Sequence, residues 1–76
     1  MLLSRNARSR MKMYKINEED IFFTIQHPEI SGEEGENRLA LRHFTDRFDS
    51  YPLKAVYNFE KQIVVTVYPL KRKNWS

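Results

Sequence analysis

The chain of 76 residues contains no cysteine and only two glycines, and these scarcities exclude several kinds of structure. Without cysteine it has neither a disulfide nor a thiolate zinc site, which fits a reducing, cytoplasmic setting. The longest apolar run, residues 63–70, is far shorter than the roughly 20 residues of a membrane helix. Its two histidines match no common metal-ligand spacing, and no glycine-rich phosphate loop is present. We therefore expect one small domain with no membrane contact, no metal and no cofactor.

Charges are segregated along the chain. Residues 1–15 carry five bases and no acid (+5), residues 16–37 seven acids and no base (−7), and residues 38–76 eight bases and three acids (+5), which sum to the net charge of +3. If the fold brings the two basic ends together, they form a cationic face suited to a polyanion. The arginine-rich, acid-free start is also typical of transit peptides, which is the alternative reading of that segment.

Two helices and three strands are predicted from local patterns. A helix begins at Asn17, whose side chain can cap the first turn, and ends before Pro28. A short basic helix is expected over Ala7–Tyr14. The glycine- and glutamate-rich segment Ser31–Asn37 is expected to be a loop. Strands follow near residues 38–44, 53–59 and 63–68, and a flexible basic tail begins at about residue 70.

Alternation of side chains predicts which residues share a face of the sheet. A two-residue loop between the last two strands would pair Asn58 with Ile63 and mix polar with apolar groups. A three-residue loop over residues 60–62 separates them better and pairs Phe59 with Ile63, Tyr57 with Val65 and Ala55 with Val67. The simplest assembly buries Leu39 and Leu41 under the helices. The exposed face would then carry Arg38, Arg42, Lys54, Asn58, Thr66 and Tyr68, and continue into Lys71, Arg72 and Lys73.

Several short motifs, taken in order, resemble a known family. Residues 6–11 (NARSRM) and 16–21 (INEEDI), with Pro28 after the helix, are similar to the opening of the domain of unknown function 4258 family. That family typically begins H-A-x-x-R-M and continues I-[ST]-x-x-[DE]-[IV]. Its strand pair resembles residues 53–57 (LKAVY) and 63–69 (IVVTVYP). The resemblance therefore covers about residues 5–69.

This family is similar in element order to RelE/BrnT-like toxins, which are metal-independent ribonucleases of toxin–antitoxin pairs. The resemblance implies an α+β fold of order β-α-α-β-β-β, with two N-terminal helices on a three- to four-stranded antiparallel sheet. It also implies RNA on the cationic sheet face and an antitoxin that covers the same surface. Asn6 stands where the family has histidine. If that histidine is a general base, the chain has lost it; if it is a helix cap, asparagine replaces it.

Metal-free RNA cleavage needs a base, an acid and fixed cations around the phosphate. We expect Arg42 with His43 or Tyr68 to supply the catalytic groups. The predicted RNA contacts are Arg10, Arg38, Arg42, Lys54, Lys71 and Lys73. Each residue also has a purely structural interpretation. The basic side chains would be solvated surface charges, His43 would lie at the rim of the core, and Tyr68 would be an ordinary strand residue. The same fold without catalysis would be an RNA-binding or protein-interaction module.

Overall fold

The computed structural model describes residues 1–71. Elements follow in the order β1 (Leu2–Leu3), α1 (Arg5–Tyr14), α2 (Glu18–Gln26), β2 (Ile30–Glu34), β3 (Asn37–Arg42), β4 (Leu53–Asn58) and β5 (Ile63–Pro69), with one short turn of 3-10 helix, Phe48–Ser50, before β4. The fold is therefore α+β, as predicted. The predicted tail lies almost wholly outside the described residues.

Both helices begin at residues that satisfy free backbone amides. The Ser4 hydroxyl accepts the amide of Ala7 at 3.0 Å and thereby caps α1. At the start of α2, the Asp20 carboxylate accepts the amide of Asn17 at 2.9 Å, an arrangement that closes the first turn. Both predicted helices are confirmed, and α1 begins two residues earlier than expected.

The sheet has five strands in the order β1-β5-β4-β3-β2. β1 runs parallel to β5, and the other neighbouring pairs are antiparallel. The sheet therefore has more strands than the three or four predicted, and it is mixed rather than antiparallel. The loop predicted over residues 31–37 was wrong. Most of that segment is strand β2, joined to β3 by a turn in which Gly35 adopts a φ of +62°. The prediction failed because β2 is an exposed edge strand, whose glutamates show no alternation of apolar and polar side chains.

The helices pack on the face of the sheet that carries Ala40 and Ala55. These two small residues pair directly across β3 and β4, where α2 contacts both strands. Ile21 of α2 is fully buried there. The remaining buried members of this core are Ala7, Ile16, Leu53, Tyr57, Val64 and Val67.

Leu39 and Leu41 lie on the opposite face, which we call the outer face. Leu39 pairs with Val56 and Leu41 with Lys54, and cross-strand partners share a face. The prediction that the two leucines lie beneath the helices was therefore wrong. Alternation separates a strand into two sets of residues, but it does not say which set meets the helices. Here the small side chain of Ala40 is the one beneath α2.

A β-bulge explains the register of the β4–β5 hairpin. Ala55 pairs with Val67 as predicted, but the register shifts by one residue between Val56 and Tyr57. Beyond the shift Tyr57 pairs with Val64 and Asn58 with Ile63, so the predicted pairs of Tyr57 and Phe59 were wrong. Because a bulge adds one residue to one strand, each of the two registers weighed from the sequence holds over part of the hairpin.

Candidate nucleic-acid interface

The outer face brings Tyr68 next to two cationic side chains. The Lys54 ammonium lies 5.8 Å from the centre of the Tyr68 ring, and the Arg10 guanidinium carbon lies 5.6 Å from it. Lys54 reaches the ring from β4, on one side of β5, and Arg10 reaches it from α1. Both distances are within the range of cation–π attraction. We call Arg10, Lys54 and Tyr68 the Tyr68 cluster.

One stripe of α1 lines the Tyr68 cluster. Asn6, Arg10 and Tyr14 are spaced four residues apart, so they lie on the same side of the helix. Thr66 donates a hydrogen bond to the Asn6 side-chain oxygen at 2.5 Å. At the other end, the Lys71 ammonium lies 5.9 Å from the centre of the Tyr14 ring. Asn6 therefore adds a polar group beside the Tyr68 cluster, and Lys71 adds a third cation at the Tyr14 end of the stripe.

Asn6 makes a tertiary contact and does not cap a helix. Ser4, rather than Asn6, caps α1. The Asn6 side chain instead joins α1 to β5 through Thr66. The contact of Asn6 is therefore between a helix and the sheet.

An acidic group limits the positive charge of the Tyr68 cluster. The Lys54 ammonium lies 3.6 Å from a carboxylate oxygen of Glu34 on β2, and the Glu34 side chain is exposed. The Lys54 side chain is only 15% exposed, so the exposed member of this ion pair is the carboxylate. An incoming phosphate would therefore have to displace the Glu34 carboxylate to reach Lys54.

Arg38 and Arg42 do not lie beside this cluster. They pair with Tyr57 and Leu53, so they occupy the face on which the helices pack. Arg42 donates to the carbonyl of His27 at 2.7 Å and lies over the Phe23 ring. Placing both arginines on one face with Lys54 and Tyr68 was therefore wrong. The cause is the exchanged identity of the two faces of β3.

His43 is likewise separated from Tyr68. It follows the end of β3, two strands from β5, and adjacent strands are about 4.8 Å apart, so roughly 10 Å divides the two backbones. The His43 amide donates to Glu29 at 2.7 Å, and its ring nitrogen Nδ1 lies 3.4 Å from the same oxygen. The amide hydrogen bond lowers the pKa of Glu29. The predicted trio of Arg42, His43 and Tyr68 is thus not assembled.

Arg47, which the sequence patterns did not indicate, makes the shortest ion pair among residues 1–71. Its guanidinium donates to both oxygens of the Asp20 carboxylate, at 2.5 and 2.7 Å. It also lies over the rings of Phe44 and Phe48. The hydrogen bonds to Asp20 raise the pKa of Arg47. A basic residue between two phenylalanines was the available signal, and the structure uses it to anchor the connection between β3 and β4.

Other kinds of site receive no support from the described residues. Within residues 1–71, no three histidine or acidic side chains are grouped so as to hold a metal ion. Neither of the two helices there is long and apolar enough to span a membrane. Lys73 lies beyond residue 71, so its predicted RNA contact falls outside the described residues.

Comparison with known proteins leaves the site to be judged on its own geometry, because no family model, curated protein or solved structure matches the chain.

Proposed function

We propose that this chain is an RNA-binding protein of the toxin-like ribonuclease group and that single-stranded RNA lies across the Tyr68 cluster. The observation that carries the proposal is the convergence of Arg10 and Lys54 on Tyr68 at the outer face of the sheet. Two cations about one ring provide adjacent phosphate contacts, and the arginine fork matches phosphate oxygens. Lys71 extends the cationic path along α1.

The apolar surroundings suit a nucleic acid better than a small anion. Leu39 and Tyr68, both half-buried, lie on the same face as Lys54. Unpaired bases have apolar faces that such side chains contact, while the backbone phosphates meet the cations. Base pairs in a duplex are not free to make such contacts, which favours single strands.

Metal-independent cleavage of the bound RNA is the second candidate function. Tyr68 carries a hydroxyl able to transfer a proton. It lies beside two cations that would stabilise the negative charge of the phosphate in the transition state. In this form of the proposal Tyr68 is the proton donor to the leaving 5′-oxygen. In the same step the 2′-hydroxyl oxygen bonds to phosphorus and gives its proton to water, while the bond from phosphorus to the 5′-oxygen breaks and a 2′,3′-cyclic phosphate forms. Tyr68 then regains its proton from water. Arg42 and His43 are too far from Tyr68 to act on the same phosphate without rearrangement.

The proposed cellular context follows from the same surface. A toxin-like protein would act in the cytoplasm on RNA, including ribosome-bound message, and a cognate antitoxin would cover the Tyr68 cluster. Such a partner needs carboxylates to pair with Arg10 and Lys54.

A cleavage assay with labelled RNA in EDTA separates binding from catalysis. For a catalytic protein, Tyr68→Phe retains RNA binding but loses cleavage by about 100-fold or more, the usual loss for a missing proton donor. Expression of the wild type would slow growth, and expression of the Phe variant would not. Intact RNA after prolonged incubation with the wild type would rule out the ribonuclease and leave the binding proposal standing. Absence of RNA binding at low salt would rule out both.

A further inference from the structure

A groove lies away from the Tyr68 cluster, between β1, the middle and end of α1 and the start of α2. It has a volume of about 520 Å³. Its floor is apolar and includes Leu2, Leu3, Met11 and Ile16. Leu2 is 69% exposed, so the apolar lining of the groove is accessible to a partner. The groove is independent of the proposed RNA surface, because Arg8 and Lys12 on its rim project from the side of α1 opposite Arg10.

One side of the groove is an open sheet edge. β1 is the terminal strand of the sheet, and its inner side pairs with β5 through the amides of Leu2 and Ser4. Successive residues of a strand direct their backbone groups to opposite sides, so the amide and carbonyl of Leu3 face outward. An unpaired backbone donor and acceptor beside an apolar groove form a template for one further strand.

The rim of the groove defines the charge of its occupant. Arg8 and Lys12, four residues apart on α1, line the groove, and Glu18 is the one acidic residue that does. The rim therefore carries a net positive charge. Carboxylates on an incoming strand would pair with the two bases, whereas a basic strand would be repelled.

We propose that this groove binds an extended, acidic segment of a partner protein, which adds a strand to β1. An apolar side chain of the segment occupies the floor over Met11 and Ile16. Its backbone bonds to the amide and carbonyl of Leu3. Its flanking carboxylates pair with Arg8 and Lys12.

The test uses the full chain as bait for a library of displayed random peptides, and then measures the affinity of the enriched peptides. The proposal predicts that enriched peptides combine acidic and apolar residues. Arg8→Glu/Lys12→Glu should weaken them at least tenfold, whereas Arg38→Glu/Lys61→Glu, the matched charge change elsewhere, should not. Enrichment of basic peptides, or of none, would overturn the proposal, as would equal binding to both double variants.

Strand addition is tested with a pair of substitutions at Leu3. Leu3→Pro removes the outward amide proton, and Leu3→Ala is the control that also loses the leucine side chain but retains the amide. Because the bonds to β5 use Leu2 and Ser4, proline is compatible with this edge position. The proline variant should bind enriched peptides roughly three- to tenfold more weakly than the alanine variant, the value of one hydrogen bond. Equal affinities would refute strand addition.

Two further measurements separate this proposal from its rivals. Sedimentation of the chain alone should show a monomer. Self-association that Arg8→Glu/Lys12→Glu abolishes would mean that a second copy of the chain occupies the groove, and the proposal would be wrong. Single-stranded RNA should not displace the enriched peptides, and displacement would mean that the groove belongs to the RNA surface. Variants of Arg10 and Lys54 should lose RNA binding but bind the enriched peptides as the wild type does. The two proposals therefore fail independently.

Discussion

The ion pair between Asp20 and Arg47 is predicted to be a main support of the fold, and its coupling energy can be measured. The Asp20 side chain is 9% exposed and that of Arg47 36% exposed. The pair is therefore intermediate between a surface ion pair, worth about 0–1 kcal/mol, and a buried one, whose disruption costs about 3–5 kcal/mol. Two parallel hydrogen bonds to one carboxylate favour a value well above that of a surface pair. We expect a coupling energy of about 2 kcal/mol.

A double-mutant cycle isolates that coupling energy. Asp20→Asn retains the shape of the side chain and an oxygen for the amide of Asn17. Arg47→Met retains an unbranched apolar stem between Phe44 and Phe48. Each single variant and the double variant are unfolded with urea and followed by circular dichroism. With an m value of about 1 kcal/mol/M for a small domain, Asp20→Asn should lower the unfolding midpoint by about 2 M.

The cycle has a clear refuting outcome. A domain of this size has a free energy of unfolding of roughly 4–11 kcal/mol, so a loss of about 2 kcal/mol is readily measured. The double variant should be less destabilised than the sum of the two single variants by the coupling energy. A coupling below about 0.5 kcal/mol would show that the pair behaves as an exposed one. The connection between β3 and β4 would then be held by aromatic packing alone.

Two further stability predictions follow from single contacts. Ser4→Ala removes the cap of α1 and the 2.5 Å hydrogen bond from Ser4 to the carbonyl of Val65. We expect the free energy of unfolding, measured with urea, to fall by about 2 kcal/mol. The control Ser9→Ala, on the exposed side of the same helix, should change it very little. Because the folded state lowers the pKa of Glu29, the carboxylate stabilises the fold above its usual pKa, and this contribution is lost as the pH falls through the folded value. Glu29→Gln should therefore flatten the acid limb of the stability–pH curve slightly, since the group is exposed; an unchanged limb would show that the hydrogen bond from His43 does not persist in solution.

The helices could be predicted because their signals are local. Asn17, Asp20 and Pro28 act within one or two turns of chain, so the start and end of α2 are encoded where they occur. The pairing of Ala55 with Val67 was predictable for a related reason, since a hairpin joins neighbours in sequence. The bulge beyond it was not, because it depends on how the turn at residues 59–62 closes.

The site was predicted only in part because it depends on long-range packing. Tyr68, Lys54 and Arg10 were all selected, and the structure brings them together. Arg42 was assigned to the same surface on the assumption that leucines meet helices. Ala40 instead lies beneath α2. Because Arg38 and Arg42 are each two residues from Ala40 along β3, they lie on the helix-covered face with it and not on the outer face. The partner of Arg47 lies 27 residues away, beyond the reach of local patterns.

The most direct test of the account is the salt dependence of single-stranded RNA binding, measured by fluorescence anisotropy for three proteins. These are the wild type, Arg10→Gln/Lys54→Gln, and Arg38→Gln/Arg42→Gln, which loses the same charge on the other face. We predict that the Arg10/Lys54 variant binds roughly tenfold more weakly and that its plot of log affinity against log salt is shallower by about 1.4, the value for two phosphate contacts. The Arg38/Arg42 variant should retain the wild-type slope. Equal slopes for the wild type and the Arg10/Lys54 variant, or a loss confined to the Arg38/Arg42 variant, would contradict the account.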